Sequence, residues 1–272
     1  MLYPAELRAR GGPYISRRNA GTRGRHRRRP LALLLLLLLP ALAAPAAAQP
    51  LFRWSPPLAV ETIAAGPVLR LADGRRLLLA GIRLPQATRQ RARDAVARAL
   101  AGEGIRIAED RLARDRYGRL LAPIADASGA WLQAALLRRG LAVADPLTAP
   151  PGTADALFAA EAEARRAGHG VWAGALPLAA DRVRATPLRF AVVEGRPRRA
   201  GRGRTFLYLN FGDDRRRDFT LRIRLGRLRA LLREGLDPEA LVGRRIRVRG
   251  WIFPAGGPMI EITDRRQIEV RE

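Results

Sequence analysis

Apolar and polar positions change their spacing several times along the chain, and each change predicts an element. Runs 58–64 and 67–71 are short, apolar-rich and extended in character. Asp73-Gly74 is a hairpin signal, because glycine accepts a positive φ. Run 75–81 then predicts a third strand, which Pro85 ends. Over 88–100 the spacing becomes helical, with Ala92, Ala95, Val96, Ala99 and Leu100 on one face. Runs 104–108 and 118–124 predict two more strands, and Asp126 to Gly129 a turn. A helix is expected over 130–139, with Gly140 where helices end in a left-handed residue. After an extended 141–144 and a proline-rich loop at 145–152, Thr153 opens a third helix reaching about 167. Leu157, Phe158, Ala160, Glu161 and Ala164 make one side of it mostly apolar, and 168–172 closes the unit.

Strand character resumes after a connector over 174–185. Strands are expected at 188–193, 205–211 and 219–224, a helix at 226–233 and a helical turn at 237–241. Further strands are expected at 244–253, 259–263 and 267–270. Two of these alternate. Ile246 and Val248 point one way and Arg245, Arg247 and Arg249 the other; Arg222 and Arg224 repeat the pattern in 221–225. If Tyr208 and Trp251 share that side, the arginines form a cationic groove with stacking rings for single strands. The plainer alternative is a solvated sheet face. Run 195–204, with five arginines, is expected to be a mobile loop that attracts phosphate without reading sequence.

Charge sharpens this picture. The 272 residues hold 50 basic against 25 acidic side chains, a net +25, and every basic one is arginine. The first 48 contain nine arginines and one glutamate, so about +17 remains on the rest. Such a field favours polyanions: nucleic acid, anionic lipid or an acidic surface polymer. A basic flank, the leucine-rich run 31–39 and small residues to Ala48 predict a signal peptide over 1–48 and a short linker at 49–57. Export to the periplasm or outside the cell follows. A retained N-terminal membrane anchor is the rival, although the apolar run is short for a span. Without cysteine, and with only His26 and His169, a zinc site, a Cys/His nucleophile and a lipid-anchoring thiol lack material.

Five strands with a helix after the third, then two more helices, is the order of an oligonucleotide-binding barrel with a helical flank. Four segments carry a closer likeness. They are Leu79-Ala80-Gly81-Ile82 with Pro85; Asp115-Arg116-Tyr117-Gly118-Arg119; Leu136 to Ala142; and Glu161 to Trp172. On these, 58–173 resembles a thermonuclease, the staphylococcal-nuclease-like domain. The expected fold class is therefore a β-barrel with helices (α+β), followed over 186–272 by a second, smaller OB-like β-barrel. Gly250 to Phe253 and Gly256 to Ile262 resemble the C-terminal extension of some bacterial thermonuclease-like proteins.

The resemblance implies phosphodiester hydrolysis with calcium held by carboxylates, a glutamate near the attacking water and two arginines on the phosphate. Position by position the match is broken. The family's Asp-Gly-Asp falls on Ala65-Gly66-Pro67, its first arginine on Leu78, its next aspartate on Arg83 and its glutamate on Gln86. The second arginine remains as Arg119. Calcium needs several anionic oxygens, which these positions do not supply. The expectation is a nucleic-acid or polyanion binder without calcium-dependent cleavage, touching its ligand through Arg119, Arg116, Tyr117, Arg222, Arg224, Arg247 and Arg249. A nuclease with a rearranged site, using Glu61, Asp73 or Asp115, is the alternative. An envelope-associated interaction protein without DNA affinity is another.

Overall fold

The computed structural model describes residues 51–63, 68–101, 104–185, 188–214 and 216–271. The expected signal peptide and the positions Ala65 and Pro67 lie outside them. The described residues belong to one compact unit, Pro45–Glu272.

Strands β1 (Val60–Ile63), β2 (Val68–Leu71) and β3 (Arg76–Leu79) are antiparallel neighbours. Then come β4 (Ile82–Arg83), α1 (Arg89–Leu100), β5 (Arg106–Ile107), β6 (Ala113–Arg114), β7 (Leu120–Ala122) and β8 (Ile124–Ala125). The first half ends with α2 (Leu132–Arg138), β9 (Val143–Ala144) and α3 (Ala154–Arg166). β7 runs parallel to β3 and antiparallel to β6, so the curled sheet reads β1-β2-β3-β7-β6. β4–β9 and β5–β8 form two separate antiparallel pairs. Leu69, Leu77, Leu79 and Ile107 meet Val96 of α1, Leu137 of α2 and Leu157 of α3 in one core. Each such side chain contributes about 1.5–3 kcal/mol by leaving water. The result is α+β, a half-barrel with helices along one flank.

One close approach fixes how α2 and α3 meet. Gly140 (φ 61°) and Gly170 (φ 56°) touch backbone to backbone. A Cβ on Gly140 would sit 2.0 Å from the His169 carbonyl oxygen, and one on Gly170 2.1 Å from that of Gly140. Only glycine fits. Residues 51–57, expected as linker, are packed: the Ser55 hydroxyl accepts from Ile107 N at 3.1 Å. Phe52 meets Trp54 and Trp131 edge-on at 5.0 and 5.1 Å.

The second half holds β10 (Leu178–Ala179), β11 (Arg189–Gly195), β12 (Arg199–Arg202), β13 (Phe206–Asn210), β14 (Thr220–Arg224) and α4 (Leu225–Arg233). β15 (Arg245–Pro254), β16 (Pro258–Ile262) and β17 (Ile268–Arg271) follow. The sheet order is β10-β11-β15-β16-β14-β13-β12, with β17 on β15 and β14 parallel to β16. β11 and β12, consecutive in the chain, are separated in the sheet by four strands.

Two expectations change here. Run 195–204, expected to be a mobile loop, contains a paired strand: β12 (Arg199–Arg202) lies antiparallel to β13, and Arg198 N donates to Asn210 O at 2.7 Å. The residues of β12 are all exposed, so no apolar alternation announced it. The connector is part of the fold too. β10 pairs in parallel with β11, and Ala180 and Val183 are buried in the second core. Among the described residues, no helix is long and apolar enough to cross a membrane.

Candidate nucleic-acid interface

The hairpin between β6 and β7 carries Arg116, Tyr117 and Arg119, three of the expected ligand contacts. Gly118 turns it at φ 72°, and Asp115 N donates to Arg119 O at 3.0 Å. Asp115 Oδ1 accepts from the backbone of Tyr117 and Arg119, while Oδ2 takes Arg119 Nε at 2.6 Å. Burial pushes the Asp115 carboxyl up, but these hydrogen bonds hold it below its ordinary value. Arg119 is thus anchored at its tip as well as its base. Its Nη1 has no hydrogen bond among the described residues. Tyr117, 57% exposed, lies between Arg116 (4.8 Å) and Arg119 (5.2 Å). Arg76 and Arg114 donate to the carbonyls of Tyr117 and Gly118. The hairpin tip is therefore an exposed cationic knot around one ring.

Beside it opens a cavity of about 620 Å³. Four positions matched from the resemblance, Leu78, Arg83, Gln86 and Arg119, all line it. Arg89, from the first turn of α1, and Arg189, from the start of β11, add two more guanidinium groups. Neither forms an ion pair among the described residues. Among the described residues, no aspartate or glutamate is in the lining.

Arg83 is held apart from this set. Its Nε donates to Asp145 Oδ2 at 2.6 Å, and Asp145 is wholly buried. That carboxylate also accepts from Thr148 Oγ1 and Leu147 N. The Arg83 guanidinium lies over Trp251 at 5.1 Å and Phe190 at 5.9 Å. Where the family places a metal-binding aspartate, this chain places a neutralised cation facing two rings.

Calcium does not fit these residues. The cavity offers guanidinium groups, one amide and hydrocarbon, whereas calcium takes six to eight oxygens, several of them anionic. The alternative carboxylates are each taken by their own arginine: Glu61 by Arg70 at 3.0 Å, Asp73 by Arg75 at 2.7 Å, Asp115 by Arg119 at 2.6 Å. Among the described residues, no three Asp, Glu or His side chains gather as a metal site.

In the second half the expected groove divides. Arg222 pairs with Glu261 through Nε and Nη2 at 2.9 and 2.6 Å, between the rings of Phe206 and Phe253. Arg224 reaches the same carboxylate at 3.3 Å and stays exposed. Tyr208 is opposite Arg222 in the register, but Trp251 packs against Phe190 and Arg83 instead.

Arg247 and Arg249 are corrections: both are buried and unavailable to a ligand. Arg249 Nη1 donates to Ala144 O at 3.0 Å and Glu161 Oε1 at 3.1 Å, and its Nη2 pairs with Glu269. Glu161 Oε1 also accepts from Ala144 N at 2.8 Å, so this carboxylate ties α3, β9 and β15 together. Arg247 grips Glu194 at 2.7 Å. The arginine side of β15 is real, but only Arg245 on it reaches solvent; Arg247 is held by Glu194 and Glu269, and Arg249 by Glu161 of α3. Alternation within a strand gives a side and does not say what covers it.

The residues missed from sequence are Arg89, Arg189 and Phe190. Arg89 stood only as the start of a helix and Arg189 as the start of a strand. No spacing linked them to Arg119, which lies 30 and 70 positions away.

Comparison with known proteins agrees with this geometry for the first half. Residues 76–174 match the family of staphylococcal nuclease homologues. No curated protein matches the chain.

Proposed function

With residues 76–174 a staphylococcal-nuclease-like domain, we propose that this chain binds single-stranded nucleic acid without calcium-dependent hydrolysis. The observation that carries the reading is the cavity's charge. Where the family's reaction needs a caged dication, the lining holds Arg89, Arg119 and Arg189, with Arg83 already met by Asp145, and no carboxylate among the described residues. Guanidinium groups bind phosphate oxygens through paired N–H donors, and the described lining offers no carboxylate to act as a general base. The exposed knot of Arg76, Arg114 and Arg116 around Tyr117 extends the same positive path along a strand backbone.

The second half adds to the reading. Its order, β11-β15-β16-β14-β13-β12 with β14 parallel to β16, supports a second OB-like barrel. Arg224, exposed beside Phe206, is the second-half arginine that keeps the assigned role. The leader-like 1–48 supports an exported protein acting in the periplasm or outside the cell, on nucleic acid or another polyanion met there.

The test is titration of a labelled single-stranded oligonucleotide at graded salt. Affinity should fall with log salt at a slope of about 0.7 per phosphate contact, and Arg119→Ala should flatten that slope by about 0.7. Affinity independent of salt, or unchanged by Arg119→Ala and Arg89→Ala together, contradicts the reading.

A further inference from the structure

The cavity's far wall comes from outside the matched segment. Phe190 and Trp251 stand in it as facing partners of β11 and β15, rings edge-on at 5.9 Å. Trp251 is 37% exposed although it lines a concavity. Its ring is held in place by Arg83, which is itself tied to buried Asp145. Arg83 therefore acts as a positioning residue, its charge already met. What remains open is one indole, hydrocarbon from Leu84 and Leu188, and guanidinium groups from Arg89, Arg119 and Arg189.

That combination selects among anions. A polyphosphate has nothing to set against an indole and leucine, and a sulfated polysaccharide offers only a puckered C–H face crowded by its sulfates. A duplex keeps its bases inside the stack. An unpaired nucleotide has a flat apolar face and an adjoining phosphate, and a volume of about 620 Å³ lies in the range of small-ligand pockets. Resting on the nucleic-acid reading above, we infer that the cavity takes one unpaired nucleotide of a strand. Its base lies against Trp251 and its flanking phosphates meet Arg89, Arg119 and Arg189. The second half thus completes the site, supplying the base platform and Arg189.

The test compares an oligothymidylate of about a dozen nucleotides with an abasic chain of the same length, both labelled, by anisotropy. Stacking on one aromatic contributes on the order of tenfold per base. Wild type should bind the thymidylate about tenfold more tightly than the abasic chain. Trp251→Leu should erase that ratio while leaving abasic affinity unchanged. Trp251→Phe, which keeps a ring, should retain most of the ratio and so guards against loss through misfolding. Equal binding of both chains by wild type overturns this inference and leaves the phosphate reading standing. Binding of neither chain overturns both. Thymidine monophosphate displacing the strand at equal concentration overturns the choice of a strand over a free nucleotide.

Discussion

A guanidinium with 1% of its side chain exposed needs anionic partners on more than one side, and Arg249 has Glu161, Glu269 and a carbonyl oxygen. Removing it leaves the fully buried Glu161 with only the Ala144 amide and a 3.6 Å pair to Arg165. Arg249→Met should lower unfolding free energy by about 3–5 kcal/mol, read by urea denaturation at neutral pH. The same cluster sets an acid limit. Burial pushes Glu269 up, but Arg249, Arg165 and Arg247 together hold its pKa below the ordinary 4.5. Glu194 is held down in the same way by Arg247 and Arg245. A carboxyl depressed in the folded state stabilises fully above its unfolded pKa, and loses that contribution as pH falls through the folded value. Stability should therefore drop below about pH 4.5, with a shallower drop in Glu269→Gln. Arg119 was legible in the sequence because a glycine turn and a strand placed it. The burial of Arg249 was not, because its partner Glu161 lies 88 positions away on a helix read only as apolar on one side.

Among elements, backbone fit decides more than side-chain chemistry. Gly140 and Gly118 both have positive φ, but a Cβ on Gly140 strikes backbone while one on Gly118 meets nothing within 4 Å. Gly118→Ala should cost about 1 kcal/mol, the local penalty of a left-handed residue. Gly140→Ala should cost at least about 3 kcal/mol, since α2 and α3 must also separate. Thermal unfolding of the two variants separates these outcomes; equal losses would mean that the Gly140–Gly170 contact carries no weight. The helices α1 and α3 were legible because their apolar residues fall on one face and are buried as that face implies. Strand β12 was hidden, because an exposed strand of arginine, alanine and glycine has no apolar period to read.

At the scale of the whole molecule, the two halves share packing as well as charge. Val143, Ala164, Val171 and Trp172 from the first half enclose Val192 from the second. Arg83 and Trp251 meet across the same boundary, at the edge of the cavity. The sequence displayed two β-rich stretches and a short connector, and nothing in it showed that the second would complete the first one's cavity. A segment that matches the staphylococcal nuclease homologues, residues 76–174, thus contributes to a cavity lined by arginines, with no carboxylate in it among the described residues. Incubating end-labelled single-stranded DNA with the purified protein in calcium or in chelator, then resolving products and bound strand, addresses this directly. The account predicts intact DNA in both, with an equal bound fraction. Calcium-dependent fragments that disappear in Arg119→Ala would contradict it.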